Sequence, residues 1–352
     1  MEKIVVRASK EYEIRIGSGL LSETGSAVRE ISGCETAMLV SDSRVYPLYG
    51  GTVRESLEKQ GIRVVTFVFE SGEKQKNVET FTALLERMSE ERMTRGDIVI
   101  ALGGGVTGDL AGFAAAVYRR GIPVVQVPTS VLAAVDSSVG GKTGVDLRSG
   151  KNQVGAFYQP ALVLCDPDVF RTLPEDEFRN GVAEIIKYAM IGSEKMFRGI
   201  LETPVSEQYE KVVSKCVSMK RDIVERDEFE RGDRMLLNFG HTVGHAVELR
   251  SGYSLPHGRA VAIGMSVVTR AAAAKGDCEE SVRDGLITLL EKYGLPTETS
   301  FSAADLYDAA MADKKIGAGT LPLIVPRGIG KAEIRKIRKE EFLDWLYAGG
   351  IR

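Results

Sequence analysis

The chain has 352 residues, 43% hydrophobic and 27% charged, with 46 Lys and Arg against 49 Asp and Glu for a formal charge of −3. That length buries a sizeable core and divides into about two domains, while the even charge balance excludes a nucleic-acid footprint or a face for an anionic membrane. Cys34, Cys165, Cys216 and Cys278 stand far apart with no Cys-x-x-Cys pair, and no stretch reaches about 18 uninterrupted apolar residues, which fits a cytoplasmic protein in a reducing compartment.

Along the chain, residues 1–7 are strand-like and charged. β-rich runs at 36–41, 63–69, 97–102, 123–127 and 162–165 alternate with helical patterns such as 77–93. That alternation predicts an α/β domain with a Rossmann-like, mostly parallel sheet. From about Pro174 the β-branched runs give way to Ala, Glu, Leu, Lys and Met at helical spacing, until a short extended piece near 321–325. We therefore expect an α/β domain over 1–174 and a mainly α-helical domain over 175–352, with no internal repeat.

The strand at 97–102 runs into Gly103-Gly104-Gly105-Val106-Thr107-Gly108-Asp109, and a helix continues through 113–118. Residues 103, 105 and 108 satisfy Gly-x-Gly-x-x-Gly, which lets backbone approach a pyrophosphate at a helix N-terminus; tight packing alone would also call for glycine. The acidic ribose clamp expected about 20 positions later is absent, with Pro123 to Ser130 in its place. Asp136-Ser-Ser-Val-Gly-Gly-Lys142-Thr resembles a Walker A loop but has Asp136 at the first glycine position, so that reading fails. Asp136 is the one charge between Arg120 and Lys142, either a helix cap or a placed functional carboxylate.

In the helical half, Glu184 and Lys187 are the only charges of an otherwise apolar helix over 180–191, at i, i+3 on one face. On a surface such a pair contributes a few tenths of a kcal/mol. Buried, it calls for a metal, ligand or counter-charge. All three histidines, His241, His245 and His257, fall between 241 and 257. Arg234, Asn238, His241 and His245, spaced i, i+4, i+7, i+11, form one stripe on an α-helix, with Met235, Leu236, Leu237, Phe239 and Val243 on its other faces. Incidental surface imidazoles are the plain alternative. His241 and His245 lack the glutamate of His-Glu-x-x-His, so a thermolysin-like peptidase is a poor match. His257, ahead of a helix-like run over 260–274, can return a ligand to the same pocket. Two His, one Glu and open positions describe a catalytic Zn²⁺ site better than a closed structural one.

Taken together, Gly103-Gly-Gly-Val-Thr-Gly-Asp109-Leu-Ala-Gly-Phe, Gln126-Val-Pro-Thr-Ser130, Asp136-Ser-Ser-Val-Gly-Gly-Lys142-Thr-Gly, Gly150-Lys151-Asn152, Ala183-Glu184-Ile-Ile-Lys187 and Leu237-Asn238-Phe-Gly-His241-Thr-Val-Gly-His245 resemble the 3-dehydroquinate synthase family over most of the chain. The resemblance implies conversion of the sugar phosphate 3-deoxy-D-arabino-heptulosonate 7-phosphate to 3-dehydroquinate and phosphate in the shikimate pathway. The implied route is transient NAD-mediated oxidation, phosphate elimination, reduction, ring opening and intramolecular aldol closure. It implies NAD and one divalent metal, Zn²⁺ or Co²⁺, on Glu184, His241 and His257. Implied substrate contacts are Lys142, Lys187, Lys220, Arg234, Asn152, Asn238 and His245, with Lys314 or Lys315 on phosphate. Asp136 falls where nicotinamide and substrate meet, and Arg120 reaches the neighbouring subunit of a homodimer. On the cofactor side stand Asp42 near the adenosine ribose, Glu73, Lys76, Gly103 to Asp109, Thr129, Ser130, Lys142 and Lys151. Ser71 stands where many relatives carry Asp, and Ser130 where many carry Thr. Competing readings are a 2-deoxy-scyllo-inosose synthase-like cyclase, against which Arg234 and the intact Gly-Gly-Lys142-Thr-Gly speak, a metal-dependent polyol dehydrogenase, and a non-catalytic zinc-stabilised binding module.

Overall fold

A computed structural model describes residues 1–312 and 319–352. These form two compact units, Met1–Leu173 with Lys220–Glu228, and Pro174–Met219 with Phe229–Arg352.

The first unit carries β1 (Glu2–Arg7), β2 (Glu11–Ile16), β3 (Thr36–Asp42), β4 (Arg63–Phe69), β5 (Ile98–Gly103), β6 (Val124–Pro128), β7 (Lys142–Leu147), β8 (Gly150–Phe157) and β9 (Leu162–Cys165). Seven strands make one sheet in the order β1-β2-β9-β6-β5-β3-β4, parallel except for the β1–β2 hairpin. β5, β6 and β9 are buried along their whole length, as central parallel strands are when both faces are covered. Met38, Val40, Val99, Leu110, Phe113 and Val124 belong to the core on one of those faces.

From β3 the chain steps outward to β4 and then returns to the other side of β3 as β5. Ligands of open α/β sheets bind at such a reversal, beyond the carboxyl ends of the strands. Asp42 ends β3 and Gly103 ends β5, so both stand there. The helix after the glycine turn, Gly105–Val117, begins earlier than the expected 113–118, since only its first residues need the close approach that glycine allows.

The antiparallel hairpin of β7 and β8 has no counterpart among the expected strands. Its sequence alternates weakly, and two glycines set it instead: a Cβ on Gly155 would run into the Thr143 carbonyl oxygen, and one on Gly144 would lie 2.6 Å from the Val154 carbonyl oxygen. The C-terminal end of the helix Tyr209–Arg226 groups with this first unit through side chains. Glu225 accepts a hydrogen bond from the Arg7 amide at 2.7 Å, and Glu228 accepts from the Ser9 amide at 2.7 Å and from Gln159 Nε2 at 2.8 Å.

The second unit is built on the helix His257–Ala274, buried from Gly258 nearly to its end. Against it pack the helices Glu175–Gly192, His241–Arg250, Glu280–Lys292 and Lys339–Ala348. So does β10 (Thr320–Gly328), which extends the expected 321–325 and pairs with β11 (Lys331–Arg338), a strand too charged to be read from its pattern. Among the described residues no helix is long and apolar enough to cross a membrane.

Asp277, just past the central helix, ties this hairpin down. It accepts two hydrogen bonds from Arg335, at 2.7 and 2.8 Å, and one from Arg327 at 2.8 Å. The Arg335 bonds, only partly opposed by burial, hold the Asp277 carboxyl below its ordinary range. A depressed carboxyl stabilises the fold above its unfolded pKa, about 3.9, and the effect fades as pH falls through the lower folded value. Asp277→Asn should therefore cost about 1–2 kcal/mol at neutral pH, and that difference should shrink below about pH 4, as read by chemical denaturation; a neutral-pH stability equal to the native chain's would refute the role given to this bidentate pair.

Candidate functional site

Two helices approach so closely that side chains are excluded from their contact. Gly240 has φ +80°, and a Cβ there would lie 2.6 Å from Met265 Cγ and 2.8 Å from the Val261 carbonyl oxygen. A Cβ on Gly264 would run into the Gly240 carbonyl oxygen, and one on Gly244 would sit 3.1 Å from Ala260 and Val261 backbone. Gly240 also corrects the sequence reading. Arg234 and Asn238 lie on the 3₁₀ turn Asp233–Asn238, and the α-helix carrying His241 and His245 starts afresh at His241, so the stripe is not one continuous helix. The left-handed glycine, needed for the close approach, interrupts it. A third helix closes on the first turn of His257–Ala274: a Cβ on Gly258 would run into the Asn180 carbonyl, and the Gly258 amide donates to Asn180 Oδ1. Glu184 lies one turn beyond Asn180 and is fully buried.

These contacts gather Glu184, His241 and His257, whose ligand atoms lie within 4.8 Å of one another. Glu184 Oε1 stands 3.6 Å from Nε2 of His241 and 3.6 Å from Nε2 of His257. For arms of about 2.1 Å, the edge of a coordination tetrahedron is about 3.4 Å, so a slight contraction would complete the geometry. Both imidazoles are held from behind. His241 Nδ1 is 3.1 Å from the Phe239 carbonyl oxygen, and His257 Nδ1 is 3.1 Å from Glu248 Oε2. A proton kept on Nδ1 leaves the Nε2 lone pair to a metal. A second grouping, His245 with Glu248 and His257, is also compact, but it would take Glu248 from that supporting contact.

Burial holds the His241 imidazole well below its ordinary pKa, with Glu184 opposing only in part, so it stays neutral as a metal ligand must. His257 goes the other way: burial disfavours its charge, but bonds to Glu184 and Glu248 prevail and push it up to about 10. Two buried carboxylates thus draw positive charge to this point. Lys187, buried on the same helix, pairs with Glu184 Oε2. His245 stands beside the set, its ring 5.4 Å from that of His241 and 6.0 Å from that of His257. Arg234 is buried, and Asn238 Nδ2 donates to Glu230 at 2.9 Å.

In the first unit, a Cβ on Gly103 would strike Thr107, and one on Gly108 would lie 2.7 Å from Gln126 Oε1 and displace the end of that side chain. The Gly108 amide bonds back to the Gly104 carbonyl at 3.0 Å, so the preceding amides of Gly105, Val106 and Thr107 face out from the helix N-terminus. Thr107 Oγ1 lies 3.5 Å from Asp42 Oδ2, which brings the acid at the end of β3 beside this helix start. The Thr129 amide donates to the Gly103 carbonyl at 2.9 Å, and Ser130 Oγ accepts from Ala133.

Lys76 is buried and reaches Asp109 at 2.5 Å and Asn152 Oδ1 at 2.6 Å, joining residues assigned separately to cofactor and substrate. Although burial opposes it, Asp109 and Glu73 hold the Lys76 ammonium above its ordinary pKa. Lys151 pairs with Glu73 at 3.5 Å. Lys220 donates to the Asp136 carbonyl at 2.6 Å and its carboxylate at 2.5 Å, which makes Asp136 the acceptor for a buried cation rather than a helix cap. Lys142 is exposed at the start of β7, and Arg120 is exposed with φ +67°. Lys314 and Lys315 lie outside the described residues. Glu248 and the Phe239 carbonyl were missed in the sequence; Glu248 continues the His241 and His245 spacing by three residues, a signal that was there to be used.

Residues 66–180 match the family described as 3-dehydroquinate synthase N-terminal, and 181–316 that described as 3-dehydroquinate synthase C-terminal. The chain is 41% identical over 343 residues to the 3-dehydroquinate synthase of Streptococcus suis, covering 95% of this chain and 96% of that one. It is 39% identical to that of Enterococcus faecalis over the full length of both. The chain belongs to the 3-dehydroquinate synthase family. Members of the family are phosphate-eliminating carbon–oxygen lyases. Among solved structures, a 2-deoxy-scyllo-inosose synthase complexed with carbaglucose-6-phosphate, NAD⁺ and Co²⁺ is 27% identical over 100% of both chains, with TM-score 0.89. A 2-epi-5-epi-valiolone synthase from Streptomyces hygroscopicus with NAD⁺ and Zn²⁺ bound is 26% identical over 99% of both, with TM-score 0.88. An iron-containing alcohol dehydrogenase, 14% identical with TM-score 0.68, shares the fold.

The meeting of His241 and His257 depends on the glycine contact. Gly264→Ala should cost about 1–3 kcal/mol by overpacking and lower the metal bound per chain, measured by elemental analysis beside a thermal melt; full metal content would show that the helices need not approach this closely.

Proposed function

We propose that Glu184, His241 and His257 hold one divalent cation, Zn²⁺ or Co²⁺, that the glycine turn and Asp42 hold NAD, and that with both the chain converts 3-deoxy-D-arabino-heptulosonate 7-phosphate to 3-dehydroquinate and phosphate. The observation that carries this reading is a fully buried carboxylate facing two imidazoles whose far nitrogens are both anchored. When bound, the cation supplies a Lewis acid for the substrate hydroxyls and the nicotinamide a reversible hydride acceptor. The cyclases with NAD⁺ and Co²⁺ or Zn²⁺ support both assignments.

The residues of the chain supply orientation and charge. In the second unit, buried Lys187 and Arg234 offer fixed donors to an anionic group, Arg234 in the forked geometry suited to a carboxylate. His245 and Asn238 are further substrate contacts that the family resemblance assigns. In the first unit, Lys142 and Asn152 are the substrate contacts it assigns. Lys220 fixes the turn at Asp136 by holding its carbonyl and carboxylate together, so neither swings with the substrate. The helix N-terminus at Gly105 to Thr107 suits the pyrophosphate, and Asp42 the adenosine ribose. A homodimer is supported by Arg120, exposed on a turn of three successive positive-φ residues, Arg119, Arg120 and Gly121, a strained presentation that contact with a second copy would explain. A cytosolic setting fits the buried thiols of Cys34, Cys165 and Cys216.

Phosphate release from the heptulosonate phosphate should stop on chelation and return with Zn²⁺ or Co²⁺, without net accumulation of NADH; accumulation would favour a dehydrogenase. Glu184→Gln and His257→Ala should each lower metal affinity beyond the roughly 100-fold that outer-sphere losses cost, and full metal content in either would overturn the ligand set. Lys142→Ala should slow phosphate release about tenfold or more with NAD affinity little changed, whereas an equal loss of both would move that lysine to the cofactor.

A further inference from the structure

Glu248 lies on the helix His241–Arg250 with 3% of its surface exposed, and its Oε2 is 3.1 Å from His257 Nδ1. The turn between the two histidine helices creates this contact. Gly252 (φ +59°) and Tyr253 (φ +61°) are both left-handed, and the Tyr253 amide donates to the Glu248 carbonyl at 2.8 Å, so the chain doubles back over Glu248 before His257 opens the next helix. A non-glycine residue rarely adopts that conformation, and it persists here where it brings His257 back onto the helix that supplied His241.

We infer that Glu248 is the positioning residue of the metal centre: its carboxylate keeps the His257 proton on Nδ1, aims Nε2 at Glu184 and strengthens that nitrogen as a donor. This rests on the ligand set proposed above. The charge balance agrees. Glu184 and Glu248 bring two negative charges and Lys187 one positive charge, a net negative pocket that draws a cation to the imidazoles. His241 is anchored by a neutral carbonyl, so the two imidazoles are not equivalent and His257 is the stronger donor.

The test uses Co²⁺ with the full chain stripped of metal, titrated in competition with a chromophoric chelator, together with the visible spectrum of the bound ion. Glu248→Ala should weaken Co²⁺ binding about 10–100-fold. Glu248→Gln, which keeps an acceptor but loses the charge, should fall between native and Ala and shift the cobalt bands, while the melting temperature of the metal-free chain stays native. Should Glu248→Ala not fold, Glu248→Gln decides. Native affinity and spectrum in the glutamine variant, or a loss of melting temperature without a cobalt shift, would reduce Glu248 to a helix-to-loop staple and overturn the inference. A native chain that takes up no Co²⁺, or His257→Ala binding it as tightly as the native chain, overturns the ligand set first and this inference with it.

Discussion

The contact between His241–Arg250 and His257–Ala274 is the constraint on which the second unit depends. Backbone touches backbone there because Gly240, Gly244 and Gly264 present no Cβ, and only at that separation can side chains from two helices meet around one point. The same economy of volume recurs at Gly258, where the third helix arrives and brings Glu184 with it. Burial follows from this closeness, and burial gives the charges their chemistry: it keeps one imidazole neutral and makes a lone carboxylate costly enough that a cation, proton or lysine must answer it.

The first unit solves a different problem with similar means. Its glycines at 103 and 108 let a helix start hard against the ends of β5 and β6, and the reversal of strand order places Asp42 beside that start. A dinucleotide site at such a place needs few side chains, since amides and a helix N-terminus do most of the recognition. The polar network of Lys76, Asp109 and Asn152 joins the glycine-turn helix to β8, so groups with different ligand assignments share one buried ammonium.

A likeness that includes dehydrogenases and cyclases shows how little the architecture alone says about the reaction. The distinction lies in sequence identity, 41% and 39% to 3-dehydroquinate synthases over nearly the full length, against 27% to the 2-deoxy-scyllo-inosose synthase that shares the fold.

The sequence by itself determined the parallel α/β half, the glycine turn, the buried Glu184–Lys187 pair and the histidine cluster, because each is written in local periodicity or spacing. It misjudged the stripe from Arg234 to His245, where the helix breaks at Gly240, and it passed over the hairpin of β7 and β8, strand β11 and Glu248. Each of these is set by what lies across a contact: the Gly240 conformation by the helix packed on it, the hairpin by backbone approach at Gly144 and Gly155, and the role of Glu248 by a turn that folds His257 back. Spacing along a chain fixes which residues share a face; only tertiary packing decides which faces meet, since that depends on volumes left empty by residues far apart in sequence.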